Sequence, residues 1–134
     1  MSEEYEVFVK KMETTYPKMF AQSYGGFAVG AGWWPILEAL CSQIQHHIDW
    51  KNKKSTVVPQ VNVAQIKEKF GGLRFYYDGG DDYISGLVSM AESWAACSCE
   101  TCGAPGERRG GGWIRTLCDR HEEEHQKNKN DSNI

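Results

Sequence analysis

The sequence predicts an α+β fold: helices packed on a small antiparallel β-sheet, followed by a compact C-terminal finger. Three observations predict it. Apolar residues recur at helical spacing in segments that begin near Glu3, Pro35 and Asp82. Between the second and third, residues 57–77 alternate apolar and polar on both sides of Gly71-Gly72, a two-residue hairpin signal. Last, Cys99-Glu-Thr-Cys102 and Cys118-Asp-Arg-His121 set two close pairs of thiolate or imidazole donors on either side of an insert rich in Gly and Arg.

Length and composition bound the reading. At 134 residues the chain is one domain, or a domain with a small appendage, and 40% hydrophobic with 12% aromatic residues speaks against disorder. A net charge of −3 carries no overall basic signature, so a nucleic-acid role has to rest on a local patch. No apolar run reaches the length of a membrane span. The five cysteines and the lack of a leader-like segment oppose a disulfide framework, and a cytoplasmic location is expected.

The first helix carries Tyr5, Phe8, Met12 and Tyr16 on one face and ends at Pro17. From Ala21 to Gly32, four glycines interleave with Tyr24, Phe27 and Val29 before Trp33-Trp34-Pro35. This stretch lacks both the Lys-Ser/Thr ending of a phosphate loop and the spacing of a dinucleotide fingerprint, so tight backbone turns explain its glycines. Tyr24, Trp33 and Trp34 are expected to be exposed and to anchor an interface. Pro35 opens the core helix, with Leu37, Leu40, Cys41, Ile44 and Ile48 in one stripe. His46 and His47 fall at its end and read as structural histidines.

Folding the chain at Gly71-Gly72 puts Ile66, Glu68 and Phe70 on one sheet face with Leu73, Phe75 and Tyr77. The other face then carries Gln65, Lys67, Lys69, Arg74 and Tyr76, where cations and a ring suit an anionic ligand or a nucleic-acid strand. A merely solvated face is the plain alternative. Asp78 to Asp82 form a turn and an N-cap, without the ligand count of a calcium loop. Ile84, Leu87, Val88, Ala91, Trp94 and Ala95 mark the third helix, with Gly86 expected to allow a close contact.

In the finger, a tetrahedral zinc ion requires four thiolate or imidazole ligands, and Cys99, Cys102, Cys118 and His121 supply them. One structural Zn²⁺ per chain is expected. Cys97 reads as a spectator. His125, one turn beyond His121, is the substitute ligand, set aside because its use would strand Cys118 beside the metal. Glu107–Arg109 and Trp113–Thr116 form a hairpin across Gly110-Gly111-Gly112, and a helix starts at Cys118. This knuckle, hairpin and helix resemble a treble-clef zinc finger. The expected layout is a body at 1–96, a docked finger at 97–127 and a frayed polar tail at 128–134.

Gly32-Trp33-Trp34-Pro35, Lys69 through Tyr77, Cys102-Gly103 and Gly112 through Cys118 also look like a family of small phage and prophage proteins. That resemblance implies a cytoplasmic accessory protein made during infection, and it carries over no activity and no catalytic residues. Three functions are open. The first is binding of nucleic acid or another anion through Lys67, Lys69, Arg74 and Tyr76, and through Arg108, Arg109, Arg115 and Trp113 in the finger. The second is counter-defence, by blocking a host protein or sequestering a host signalling nucleotide. A hydrolytic enzyme such as a nuclease ranks third, since residues 103–117 hold no His and a zinc with four protein ligands activates no water.

Overall fold

Helix α1 (Glu3–Thr15) starts where Ser2 accepts the Tyr5 N–H at 3.1 Å, with Glu3, Glu4 and Glu6 in a first turn that favours negative charge. The structure, a computed structural model, describes residues 2–21 and 24–132. Phe8 and Met12, one turn apart, are the buried residues of α1. Strand β1 (Phe27–Ala28) and a 3₁₀ turn (Ala31–Trp33) lead into α2 (Trp34–Asn52), which has Pro35 in its first turn. The stripe on α2 is buried, joined by Ile36 and His47. The helix runs on to Asn52, so His46 and His47 lie within it and do not end it.

Strands β2 (Asn62–Lys69) and β3 (Gly72–Asp78) pair antiparallel, as the alternation predicts, but the sheet as a whole is mixed. β1 joins the other side of β2 in parallel, Phe27 beside Ile66 and Ala28 beside Lys67. The reason is topological: α2 lies between β1 and β2, and parallel neighbours need such a long connection. A bulge between Val63 and Gln65 lets both Val63 and Ile66 face the core.

The turn sits one residue earlier than expected. Lys69 pairs with Gly72, leaving Phe70 and Gly71 as the turn residues, with φ of 53° and 81°. Phe70 is therefore exposed at the tip and absent from the apolar face. Two contacts fix this turn: Gly71 N–H donates to Glu68 Oε2 at 2.7 Å, and Thr116 Oγ1 donates to the Gly71 carbonyl at 2.6 Å. A Cβ at Gly71 would lie 3.1 Å from Ile114 Cγ2, and its φ already excludes most side chains.

Helix α3 (Asp82–Ala95) buries Ile84, Val88, Ala91 and Ala95. Gly86 has open space around it, so it serves no close contact, and Trp94 is half exposed. Asp81 caps this helix, accepting the Ile84 N–H on Oδ1 at 3.1 Å, while Oδ2 lies 2.8 Å from Nε2 of buried His47. Desolvation pushes the Asp81 carboxyl up, but the hydrogen bonds of His47 and Ile84 and the charges of His47 and Lys51 outweigh it and hold it below the usual range. A carboxyl with a depressed folded value contributes stability above its unfolded value and loses it as pH falls through the folded one. Asp81→Ala is thus expected to cost about 1–2 kcal/mol at pH 7, with the gap from wild type shrinking below about pH 4. Urea unfolding at pH 7 and pH 3 reads this; an equal gap at both would sink it.

The finger comprises β4 (Glu107–Arg109), β5 (Arg115–Leu117) and α4 (Asp119–Ser132), with β4 and β5 antiparallel. Its own core is small: Cys99, Leu117 and Cys118, with Ala104 against them. It is bonded to the body. Trp33 Nε1 donates to the Ser98 carbonyl at 2.9 Å, Gly32 N–H to the Glu100 carbonyl at 2.8 Å and Gly30 N–H to Glu100 Oε2 at 2.9 Å.

That docking corrects the expected interface. Trp33 is fully buried. Trp34 stacks on Phe8 with ring centroids 4.5 Å apart, and Tyr24 packs on Phe20 and Phe27 while its hydroxyl donates to Glu13. Trp33 is core, and Trp34 and Tyr24 are partly buried rings packed against that core. Helix α4 extends to Ser132, past the expected boundary at residue 128, with Gln126 donating to Glu122 one turn back. Asn133 and Ile134 lie outside the described residues.

Candidate metal centre and ligand surfaces

Two turns build the centre. The knuckle after α3 carries Cys99 and Cys102 and reverses at Gly103, whose φ of 83° is glycine's territory. Cys118 follows β5 directly, and His121 lies in the first turn of α4. The four donor atoms all lie within 4.8 Å of one another. Cys102 Sγ is 3.8 Å from Cys118 Sγ, and His121 Nδ1 is 3.3 Å from Cys118 Sγ and 3.6 Å from Cys99 Sγ. A tetrahedron with zinc–sulfur bonds of about 2.3 Å has sulfur–sulfur edges of about 3.8 Å, so the spacing fits zinc.

Electrostatics point the same way. Burial opposes ionisation of Cys99, yet the backbone N–H groups of Cys118, Cys102 and Thr101 outweigh it and bring the thiol down to about 6. At Cys102 the Ala104 N–H favours the thiolate, but desolvation and the Cys99 and Cys118 sulfurs push the thiol up. Thiolates crowded together repel one another until a cation sits among them. His121 turns Nδ1 to the cluster, and its Nε2 lies 3.8 Å from a Glu124 carboxylate oxygen, outside hydrogen-bond range. His125 is outside the cluster and lines a cleft with Trp113 and Arg115. Cys97 is also outside it, with Sγ 3.4 Å from the Trp94 carbonyl.

The register sets the sheet cations together. Lys67 lies directly across from Arg74, Gln65 across from Tyr76 and Lys69 across from Gly72, while Ile66, Leu73 and Phe75 are buried on the other face. Lys67, Lys69 and Arg74 make no ion pair among the described residues. The finger arginines divide. Arg109 is engaged, its guanidinium donating to Asp119 Oδ1 at 2.8 Å and to the Leu117 carbonyl at 3.2 Å, so it serves the finger's own structure. Arg108 projects to solvent, and Arg115 lines the cleft with exposed Trp113.

Glu100 is the functional candidate that sequence reasoning missed. It sits between Cys99 and Cys102, a place where a polar residue reads as loop, yet it is only 7% exposed. Burial and the nearby Glu68 charge raise its carboxyl, with the Gly30 N–H and Arg115 opposing. Among the described residues no helix is long and apolar enough to cross a membrane. No family model matches the chain, and no curated protein or solved structure is significantly similar to it, so the reading of these sites rests on their geometry.

Proposed function

We propose that the chain is a binding module stabilised by one structural zinc ion, and that the open face of its sheet binds single-stranded nucleic acid. Cys99, Cys102, Cys118 and His121 fill all four zinc positions in a treble-clef arrangement, which leaves no position for a catalytic water. The observation that carries the binding reading is the row of three cations, Lys67, Lys69 and Arg74, without carboxylate partners beside Tyr76, which is 41% exposed. Cations meet phosphates and the tyrosine ring offers a base a stacking surface. Ala28 and Gly72 keep the face low between them.

Fluorescence anisotropy with a labelled oligonucleotide tests this. Binding should weaken with salt, with a slope near −2 if three phosphates are contacted at about −0.7 each. The triple variant Lys67→Ala, Lys69→Ala, Arg74→Ala should stay folded and lose roughly a hundredfold in affinity at low salt. An unchanged Kd in the folded triple variant would remove the sheet face from the function.

A second reading, capture of a protein partner, draws on α3. Tyr83, Met90 and Trp94 are exposed on one side of that helix with no charge between them at helical spacing. Met90→Asp should then abolish partner binding without touching the oligonucleotide affinity.

A further inference from the structure

The β2–β3 turn and the finger leave a cleft of about 440 Å³ between them, lined by Glu68, Glu100, Trp113, Arg115 and His125. Glu68 points to the opposite side of the sheet from Lys67, so this cleft is separate from the cationic face. Trp113, Arg115 and His125 also line a second hollow, of about 350 Å³, together with residues 110–112, Glu122 and Lys129.

Its lining mixes acceptors, a ring and cations. Glu68 and Glu100 each give one oxygen to a backbone N–H, of Gly71 and Gly30, and the second oxygen of each has no hydrogen bond among the described residues. In the neighbouring hollow, Glu122 Oε2 is buried and has no partner either. Arg115, with no ion pair among the described residues, and Lys129 supply positive charge. Trp113 has 74% of its surface exposed. A ligand that fits this lining has hydrogen-bond donors, a stackable ring and a negative charge.

A metal cation satisfies the carboxylates but not the ring or the cations, and an inorganic anion satisfies the cations alone. A nucleotide meets all three demands: its ring stacks on Trp113, its base edge reaches the carboxylates and its phosphate meets Arg115. The carboxylates accept only, so they select the base edge. Guanine presents adjacent donors at N1–H and N2–H. In adenine and cytosine the amine sits beside a ring-nitrogen acceptor, and in uracil one N–H lies between two carbonyls, so each sets a lone pair against a carboxylate.

We propose that the cleft between the β2–β3 turn and the finger is a guanine-nucleotide site, with Glu68 and Glu100 reading the base, Trp113 stacking on it and Arg115 holding the phosphate. The site depends on a folded finger but not on the sheet-face reading.

Equilibrium dialysis of the full, metal-loaded chain against GMP, AMP, CMP and UMP, without divalent cations, tests it. GMP should bind at least about tenfold more tightly than the other three, since each mismatched edge sets a lone pair against a carboxylate oxygen. Trp113→Ala should weaken GMP roughly tenfold or more. Glu68→Gln and Glu100→Gln retain an acceptor for their backbone N–H and should erase the guanine preference. Arg115→Gln should weaken GMP while leaving guanosine unchanged, and the triple sheet variant should bind GMP like wild type. Equal retention of the four nucleotides, or none by folded, zinc-loaded protein, would overturn the proposal. So would uptake of Mn²⁺ lost on Glu68→Gln with no GMP binding, which would assign the carboxylates to a cation.

Discussion

Chelating the metal, or replacing Cys102 with Ala, is expected to unfold the finger and to destabilise the chain by ~4 kcal/mol or more. The finger has no other source of cohesion of that size. Its buried apolar residues number few, and two of the three central ones, Cys99 and Cys118, belong to the candidate metal cluster. Without the ion, thiolates that the knuckle N–H groups favour would be left repelling one another. The helices α1 to α3 and the three-stranded sheet have their own core and should persist, so far-UV dichroism falls only in part. His125→Ala, by contrast, should change stability by under about 0.5 kcal/mol. Elemental analysis of protein purified without added metal should find one zinc per chain. A value near zero in folded protein, or zinc kept by Cys118→Ala and lost by His125→Ala, would reverse the ligand assignment.

Gly32→Ala should be among the most damaging single methyls in the body, at about 3 kcal/mol, with zinc bound more weakly. A Cβ there would stand 2.1 Å from the Cys99 carbonyl oxygen and 2.5 Å from the Gly103 nitrogen. Both are backbone atoms of the knuckle, so relief requires moving the loop that carries Cys99 and Cys102. Gly111→Ala is the control, since nothing lies within 4 Å of its Cβ position and it should cost under about 0.5 kcal/mol. Urea midpoints with zinc content measured on the same samples would settle the pair. Wild-type stability in Gly32→Ala would mean that the knuckle does not seat on this turn.

What the chain declares locally was legible in its sequence. The α2 stripe, the β2–β3 alternation and the four-ligand spacing each depend on residues a few positions apart, and each is present. What was not legible depends on partners far along the chain. Trp33 looks like a surface anchor until Ser98, 65 positions on, takes its indole N–H. The turn at Phe70-Gly71 looks misplaced by one residue until Thr116 is seen to bind the Gly71 carbonyl. The parallel edge strand follows from where α2 delivers the chain, which no pattern within Phe27–Ala28 encodes. Glu100 gave no signal because a carboxylate inside a knuckle is ordinary until its burial is known.

The parallel edge also separates early from late events in folding. The β2–β3 hairpin closes across two turn residues, and such hairpins form in about 1–10 μs. Pairing of Phe27 with Ile66 instead encloses the whole of α2, so its loop-closure entropy must be met before that contact returns any free energy. Until it forms, the outer edge of β2 is a bare strand in a half-built molecule. The five charged or amide side chains along that strand, Asn62, Gln65, Lys67, Glu68 and Lys69, then act as gatekeepers against pairing with a neighbouring chain.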